Sequence, residues 1–372
     1  MFQWPRLASG AVSLRFEAHP GLDSAIDEVA AAGAPARAFL SRSWFEAALP
    51  AGSRARSLVM RRSDGQPVIA LPIAPATWGI NAVPGSYWPY RSFPVAADLT
   101  ADEFTAFLAT PTIRRALGQV WRIGPIYADD PVLQLLEQTA RPAGWRLLKR
   151  RLATSFQVDF AALAAEAPWP RKTTLKRNRQ LENQMARLGA LEWQSLSGAE
   201  LDGRLLETLA ALEAKSWHGE SRDAKFLSPT HRRTWDRLVA DPGQAERLRA
   251  QLLTIEGQPA VMLFQLEAGP MVHGIATSYD PRFATHSPGK CLHMRALVAA
   301  QARGVERFDW GSGDSGYKRQ LGAQPRVAIL DCLLLRGPLA LGAPLLERLW
   351  RRHESDDATV AEPDGVAVDS VD

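Results

Sequence analysis

A chain of 372 residues, 46% hydrophobic and 23% charged, is long enough for two ordinary domains, each with its own core. A formal charge of +4, with no concentrated basic arm, argues against DNA as a partner. Two cysteines, Cys291 and Cys332, exclude a disulfide framework and fit reduced core residues of a cytoplasmic protein. No apolar run approaches the roughly 18 residues of a membrane span, and the first residues lack a signal peptide's apolar centre.

In chain order, the spacing predicts a helix over Ser43 to Leu49, then a hairpin turning on Asp64-Gly65. A helix from Ala101 to Leu117 and the strand "VWRIGPI" follow. A basic helix is expected over Thr173 to Leu188, closed by Gly189. The first pattern then returns. A helix is expected over Pro229 to Ala240 and a hairpin on Glu256-Gly257. The strand "MVHGIATSYD", a helix from Gly289 to Arg303 and the strand "VERFDWG" complete it. Gly65-Gln66-Pro67 aligns with Gly257-Gln258-Pro259, and Ser86-Tyr87-Trp88-Pro89 aligns at the same offset with Ser278-Tyr279-Asp280-Pro281. Phe39-Leu40-Ser41 and Phe226-Leu227-Ser228 each precede a helix containing tryptophan. Three matches in one order indicate a duplicated unit. Strand-helix-strand units beside hairpins indicate a mixed α/β sheet. The acidic ending from 351 to 372 has few large apolar residues and is expected to be disordered.

Several motifs could carry chemistry. The turn "HSPGK" passes from a strand into a helix. A helix start offers unpaired N–H groups, Gly289 allows close approach and Lys290 adds charge, so Ser287, Pro288, Gly289, Lys290 and Cys291 form a candidate phosphate cradle. It is not a nucleoside-triphosphate loop, because Ala284 and Cys291 stand where glycine and Ser/Thr are required. "GSGDSG", Gly311 to Gly316, has the letters of a dinucleotide fingerprint. The next strand, "RVAILDCLLL", follows within about ten residues, too soon for the crossover helix, so that reading is rejected. In "LEAKSWHGE", Glu213 and Trp217 would share a helix face. No histidine pair with metal-ligand spacing occurs, and no Gly-x-Ser-x-Gly elbow, so neither a metal nor a covalent nucleophile is expected. Lys176, Arg177 and Arg179 make the basic helix an electropositive wall suited to an anionic substrate.

"KRNRQLENQMARLGALEWQ", "LEAKSWHG", "YDPRFATHSPGKCL" and "FDWGSGDSGYKRQLG" resemble, in order and spacing, the CelD-like acetyltransferases, bacterial proteins of the GNAT superfamily often associated with polysaccharide biosynthesis. The resemblance implies two tandem GNAT-like α/β domains, each a mixed sheet flanked by helices, at 1–165 and 166–345. It also implies distant kinship with the Fem peptidyltransferases. It implies an acyl-CoA, such as acetyl-CoA, as co-substrate rather than a permanently bound cofactor, with its pyrophosphate on Ser287 to Cys291. The usual Arg/Gln-x-x-Gly-x-Gly/Ala signature is replaced here by "SPGK". Asp314, Asp309 and Glu213 are then candidate bases, Tyr317 a candidate proton donor to the leaving thiolate, and Lys318 electrostatic support. Lys176, Arg177, Arg179 and Trp217 are assigned to the acceptor, a small molecule or glycan precursor. The alternatives are a Fem-type transferase using charged tRNA, against which stands the lack of a coiled-coil insertion, and a binding protein that has kept the fold without turnover.

Overall fold

The computed structural model describes residues 13–76, 79–85, 91–216, 224–313 and 316–351. The first half runs β1 (Arg15–Pro20), α1 (Ala25–Ala32), α2 (Arg42–Ala48), β2 (Arg56–Arg61), β3 (Pro67–Pro75) and β4 (Asn81–Ala82). It continues with α3 (Ala101–Ala109), α4 (Pro111–Leu117), β5 (Val120–Tyr127), α5 (Pro131–Thr139) and β6 (Arg146–Asp159). Helices α6 (Phe160–Glu166) and α7 (Lys172–Met185) lead into the second half. That half runs β7 (Leu191–Ser197), α8 (Gly203–Lys215), α9 (Pro229–Ala240), α10 (Pro242–Ala245), β8 (Leu248–Ile255), β9 (Gln258–Ala268) and β10 (Met271–Tyr279). It closes with α11 (Pro288–Ala302), β11 (Arg307–Ser312), α12 (Tyr317–Gln320) and β12 (Gln324–Leu335), before α13 (Pro338–Leu341) and α14 (Ala343–Arg351).

All twelve strands join one sheet in the order β1-β2-β3-β4-β5-β12-β6-β11-β10-β9-β8-β7. Reading inward from either edge meets the same sequence of antiparallel strands, ending in one parallel pair, β4/β5 or β10/β11. The halves then exchange their last strands: β12 pairs with β5, and β6 pairs with β11. The expected mixed α/β duplication is present. Its interleaving was not expected, because nothing in the residues of β6 says which neighbour it will take.

Burial explains the layers. β3 and β9 are almost continuously buried, as strands covered on both faces must be. Helices start where side chains can satisfy exposed N–H groups: Asp130 caps α5, Asp202 caps α8 and Thr100 with Glu103 forms a reciprocal capping box on α3. The two hairpins turn where expected, with Glu256 and Gly257 both left-handed (φ 49° and 68°) but only Gly65 so in the first.

Two expectations need correction. The single helix over Ala101 to Leu117 is two, because Pro111 cannot donate within a helix and instead opens α4 after an extended Thr110. The last strand begins at Gln324 rather than after Pro325; a register shift between Pro325 and Val327 lets the proline into the strand. Helix α8 ends at Lys215 with Ser216 extended, and the expected Glu213/Trp217 pairing falls outside the described residues. Trp217, Asp314, the Ser86–Pro89 match and residues 352–372 lie outside the described residues.

Candidate functional site: the cleft where two strands part

Strands β10 and β11 pair over only three positions, Met271/Arg307, Val272/Phe308 and His273/Asp309. Beyond them β10 has a bulge between Gly274 and Ala276 and the strands part. A bulge leaves backbone groups out of the ladder and re-aims side chains, as sheets often do beside sites. The side chains that meet here come from four elements: β10, α11, β11 and α12. His293 of α11 lies 3.3 Å from the Thr277 hydroxyl, with its ring 4.7 Å from Trp310 of β11 and 5.2 Å from Tyr317 of α12. Burial, reinforced by the Lys318 charge, depresses the His293 pKa to about 3, so its ring is neutral. The Trp310 Nε1 is buried without a hydrogen-bond partner.

The predicted phosphate cradle opens α11 beside this cleft. Ser287 adopts a left-handed conformation (φ 50°, ψ 49°) and supplies no side-chain cap; Pro288 occupies the first turn. A Cβ on Gly289 would meet nothing within 4 Å, so the space before the turn is open. No acidic residue sits in the first turn. Lys290 is held below its ordinary pKa, first by burial and then by the nearby Arg177 charge, which marks a locally positive surface. Helix α7 packs along α11: Arg295 makes a two-pronged bond to Glu182 at 2.8 and 2.9 Å, and the Cys291 thiol lies 3.8 Å from the Asn178 carbonyl. Cys291 is fully buried and its thiol is pushed up to about 12 by burial. With its thiol buried against α7, Cys291 could meet a phosphate at the turn only through its backbone N–H. Lys176, Arg177 and Arg179 are exposed along α7.

The other predicted residues separate. Glu213 is buried, and its two oxygens accept the backbone N–H groups of Lys225, Phe226 and Leu227 at 2.7–3.0 Å. Its geometry is that of a carboxylate clamping a loop. Asp309 is 1% exposed and accepts from the Tyr127 hydroxyl, Ser155 Oγ (2.8 Å), Gln157 Nε2 (3.1 Å) and the Gly311 N–H (2.7 Å). Burial pushes its carboxyl above the usual range although these donors pull the other way. His273 stands 3.9 Å from it, depressed to about 3 by burial. The Lys318 ammonium donates to the Ser312 and Gly313 carbonyls at 2.6 and 3.0 Å, tying down the start of the glycine-rich loop. The structure thus brings Tyr317 and Lys318 to the α11 side of the cleft and leaves Glu213 elsewhere, near the end of α8. Sequence reasoning missed His293, Thr277 and Trp310. The only signal for His293 was its place on the apolar stripe of α11, four residues from Leu297.

A sheet of this order, with one parallel pair per half parting beside a helix start, has known counterparts. Residues 171–319 match the family model for an acetyltransferase (GNAT) domain. This is a GNAT-fold protein. The FemX crystal structure is similar over 89% of this chain and 100% of its own, at 12% identity and a TM-score of 0.58. The C-terminal domain of a protein assigned as a lysylphosphatidylglycerol synthetase, from Agrobacterium fabrum, is similar over 88% and 94%, at 14% and 0.51. A conserved protein from Bacteroides thetaiotaomicron is similar over 85% and 93%, at 10% and 0.50. At such identities the likeness is one of fold. No curated protein matches the sequence. No described helix is long and apolar enough to cross a membrane, and no described cluster of His, Cys, Asp or Glu could hold a metal ion.

Proposed function

We propose that the chain transfers an acyl group from acyl-CoA to an amine or hydroxyl, using the cleft between β10 and β11. The supporting observation is the uncapped start of α11, open at Gly289 and positive at Lys290, beside two strands that part at a bulge. These groups fit a pyrophosphate: the N–H groups of Gly289 and Cys291 would receive it with the Lys290 ammonium, the Lys290 N–H being bonded to the Ser287 carbonyl. When bound, acyl-CoA supplies an activated thioester. The parted strands would admit its acyl end, and β10 N–H groups freed at the bulge would donate to the developing oxyanion.

The acceptor must lose a proton. Glu213 and Asp309 have their oxygens committed to three and four donors, which leaves Asp314 as our leading base. Tyr317, whose ring stacks on neutral His293, would return a proton to the leaving thiolate. Asp314→Asn should lower turnover about a hundredfold in a folded protein; unchanged turnover would remove it from the mechanism. We read the halves as 1–165 and 166–345, with the acyl-donor site in the second and the first shaping the acceptor side. The motif resemblance to CelD-like proteins favours acetyl transfer to a glycan precursor.

The test is thermal unfolding with acetyl-CoA, longer acyl-CoAs and free CoA. At about a hundred times its dissociation constant, a ligand stabilises by roughly 2.7 kcal/mol, a shift of several degrees. Lys290→Glu should abolish it. No shift with any of them would overturn this reading. One observation favours a second reading: Lys176, Arg177 and Arg179 are exposed without ion pairs, as a charged-tRNA donor would require. Binding of tRNA that collapses between low and moderate salt, without any CoA response, would establish that alternative.

A further inference from the structure

In the first half, the place matching the acyl cleft has the opposite chemistry. β4 and β5 pair in parallel only at Asn81/Trp121 and Ala82/Arg122. At that point Arg122 sends Nε and Nη2 to the two oxygens of Asp331 on β12, at 2.8 and 2.9 Å. Arg150 of β6 adds a third bond to Asp331 at 2.8 Å. Asp331 is fully buried and thereby saturated. A third arginine, Arg91, lies beside β5, where its backbone N–H donates to the Pro125 carbonyl at 3.3 Å. Its pKa is lowered by burial and next by the Arg122 charge, with Asp331 acting the other way.

Arg122 and Arg150 therefore share one carboxylate while Arg91 pairs with none among the described residues, an excess of two positive charges over Asp331. The Nε atoms of Arg91 and Arg150 are both buried without a hydrogen-bond partner. No ion pair joins Arg91 to any described residue, and no carboxylate besides Asp331 pairs with Arg122 or Arg150. The indole of Trp350 on α14 covers Arg150 at 3.8 Å and lies 5.9 Å from Arg122, walling one side. Arg122 keeps a third of its side chain exposed, which leaves an approach from solvent. A partly buried, unpaired guanidinium is costly, and planar forks suit oxyanions in two-pronged geometry.

We propose that the first half carries an oxyanion-binding site formed by Arg91, Arg122 and Arg150, which takes a carboxylate or phosphate group of a ligand. The site does not depend on the acyl-donor assignment. It is tested on the full chain carrying Lys290→Glu, which removes the other candidate anion site. Thermal unfolding is followed with sodium phosphate and with malonate, each against sodium chloride of equal ionic strength. The expected result is a rise in midpoint with at least one of the two, phosphate alone indicating a phosphoryl ligand and malonate alone a carboxylate. Adding Arg91→Met should weaken anion binding by about ten- to a hundredfold, the worth of one or two charge-assisted bonds. Without anion it should leave the midpoint unchanged or raised, because an unpaired cation is gone. Arg91→Lys should fold like its parent and bind intermediately. No rise above chloride, an equal rise with Arg91→Met, or an anion-free midpoint lowered by Arg91→Met, including failure to fold, would overturn the proposal.

Discussion

The two halves share one topology and differ where they would meet a ligand. In the second half, the helix after the parting strand starts on Ser287 without a side-chain cap and without an acid in its first turn. In the first half, the corresponding helix α3 satisfies itself: Thr100 accepts from the Glu103 N–H, Glu103 returns to Thr100, and Asp102 adds a second acid. Arg62 locks Glu103 there, holding its carboxyl at about 2. A phosphate approaching α3 meets occupied donors and negative charge; one approaching α11 meets open donors and Lys290. The contrast recurs in the sheet. The last paired residue of β11 is Asp309, ringed by hydroxyl, amide and backbone donors, while that of β5 is Arg122, bound to a carboxylate. Duplication preserved the frame and let the two mouths diverge in charge.

That comparison can be broken experimentally. The largest effect should come from Asp331→Ala, which strips the only described carboxylate from Arg122 and Arg150. Urea unfolding should show a loss of about 3–5 kcal/mol, and a loss below about 1 kcal/mol would mean the arginines are not held by it. Glu213→Ala orphans three backbone N–H groups and should cost about 3 kcal/mol, again by urea unfolding, while Glu213→Gln recovers only part of it. A base that did not also build the loop would show a turnover defect with no such loss.

The pH dependence tests the second half's buried rings. His273 and His293 have folded pKa values depressed to about 3 from an ordinary 6.5. The unfolded chain therefore binds their protons first, and their contribution, complete above pH 6.5, is lost as pH falls towards 3. Within that window each adds about 1.4 kcal/mol per pH unit to the slope. His293→Gln should remove one proton from the slope measured by denaturation at several pH values. An unaltered slope would mean that His293 is not buried neutral. The smallest effect is at Ser287, where glycine should relieve the left-handed strain for a net gain of about 0.5 kcal/mol. A loss on calorimetry would show that the hydroxyl does structural work there.

Much of the frame was legible in the residues, because hairpin turns, helix starts and a repeated Gly-Gln-Pro are local signals. So was the turn that opens α11, signalled by Pro288 at its first position. What could not be read was anything depending on strand exchange. Tyr127, Ser155 and Gln157 reach Asp309 across more than 150 positions of sequence, and Arg122 meets Asp331 across 209. Glu213 looked like a candidate base because a carboxylate's type is visible in sequence and its partners are not. Three backbone N–H groups from a later loop decide its role.

Hydrogen exchange with and without acetyl-CoA tests the central claim, a single acyl-donor site in a duplicated fold, most directly. The account predicts protection at the start of α11 and along β10 beyond the bulge, with β4, β5 and α3 unchanged. Protection of the first half's parallel pair instead, or none in either half, would contradict it.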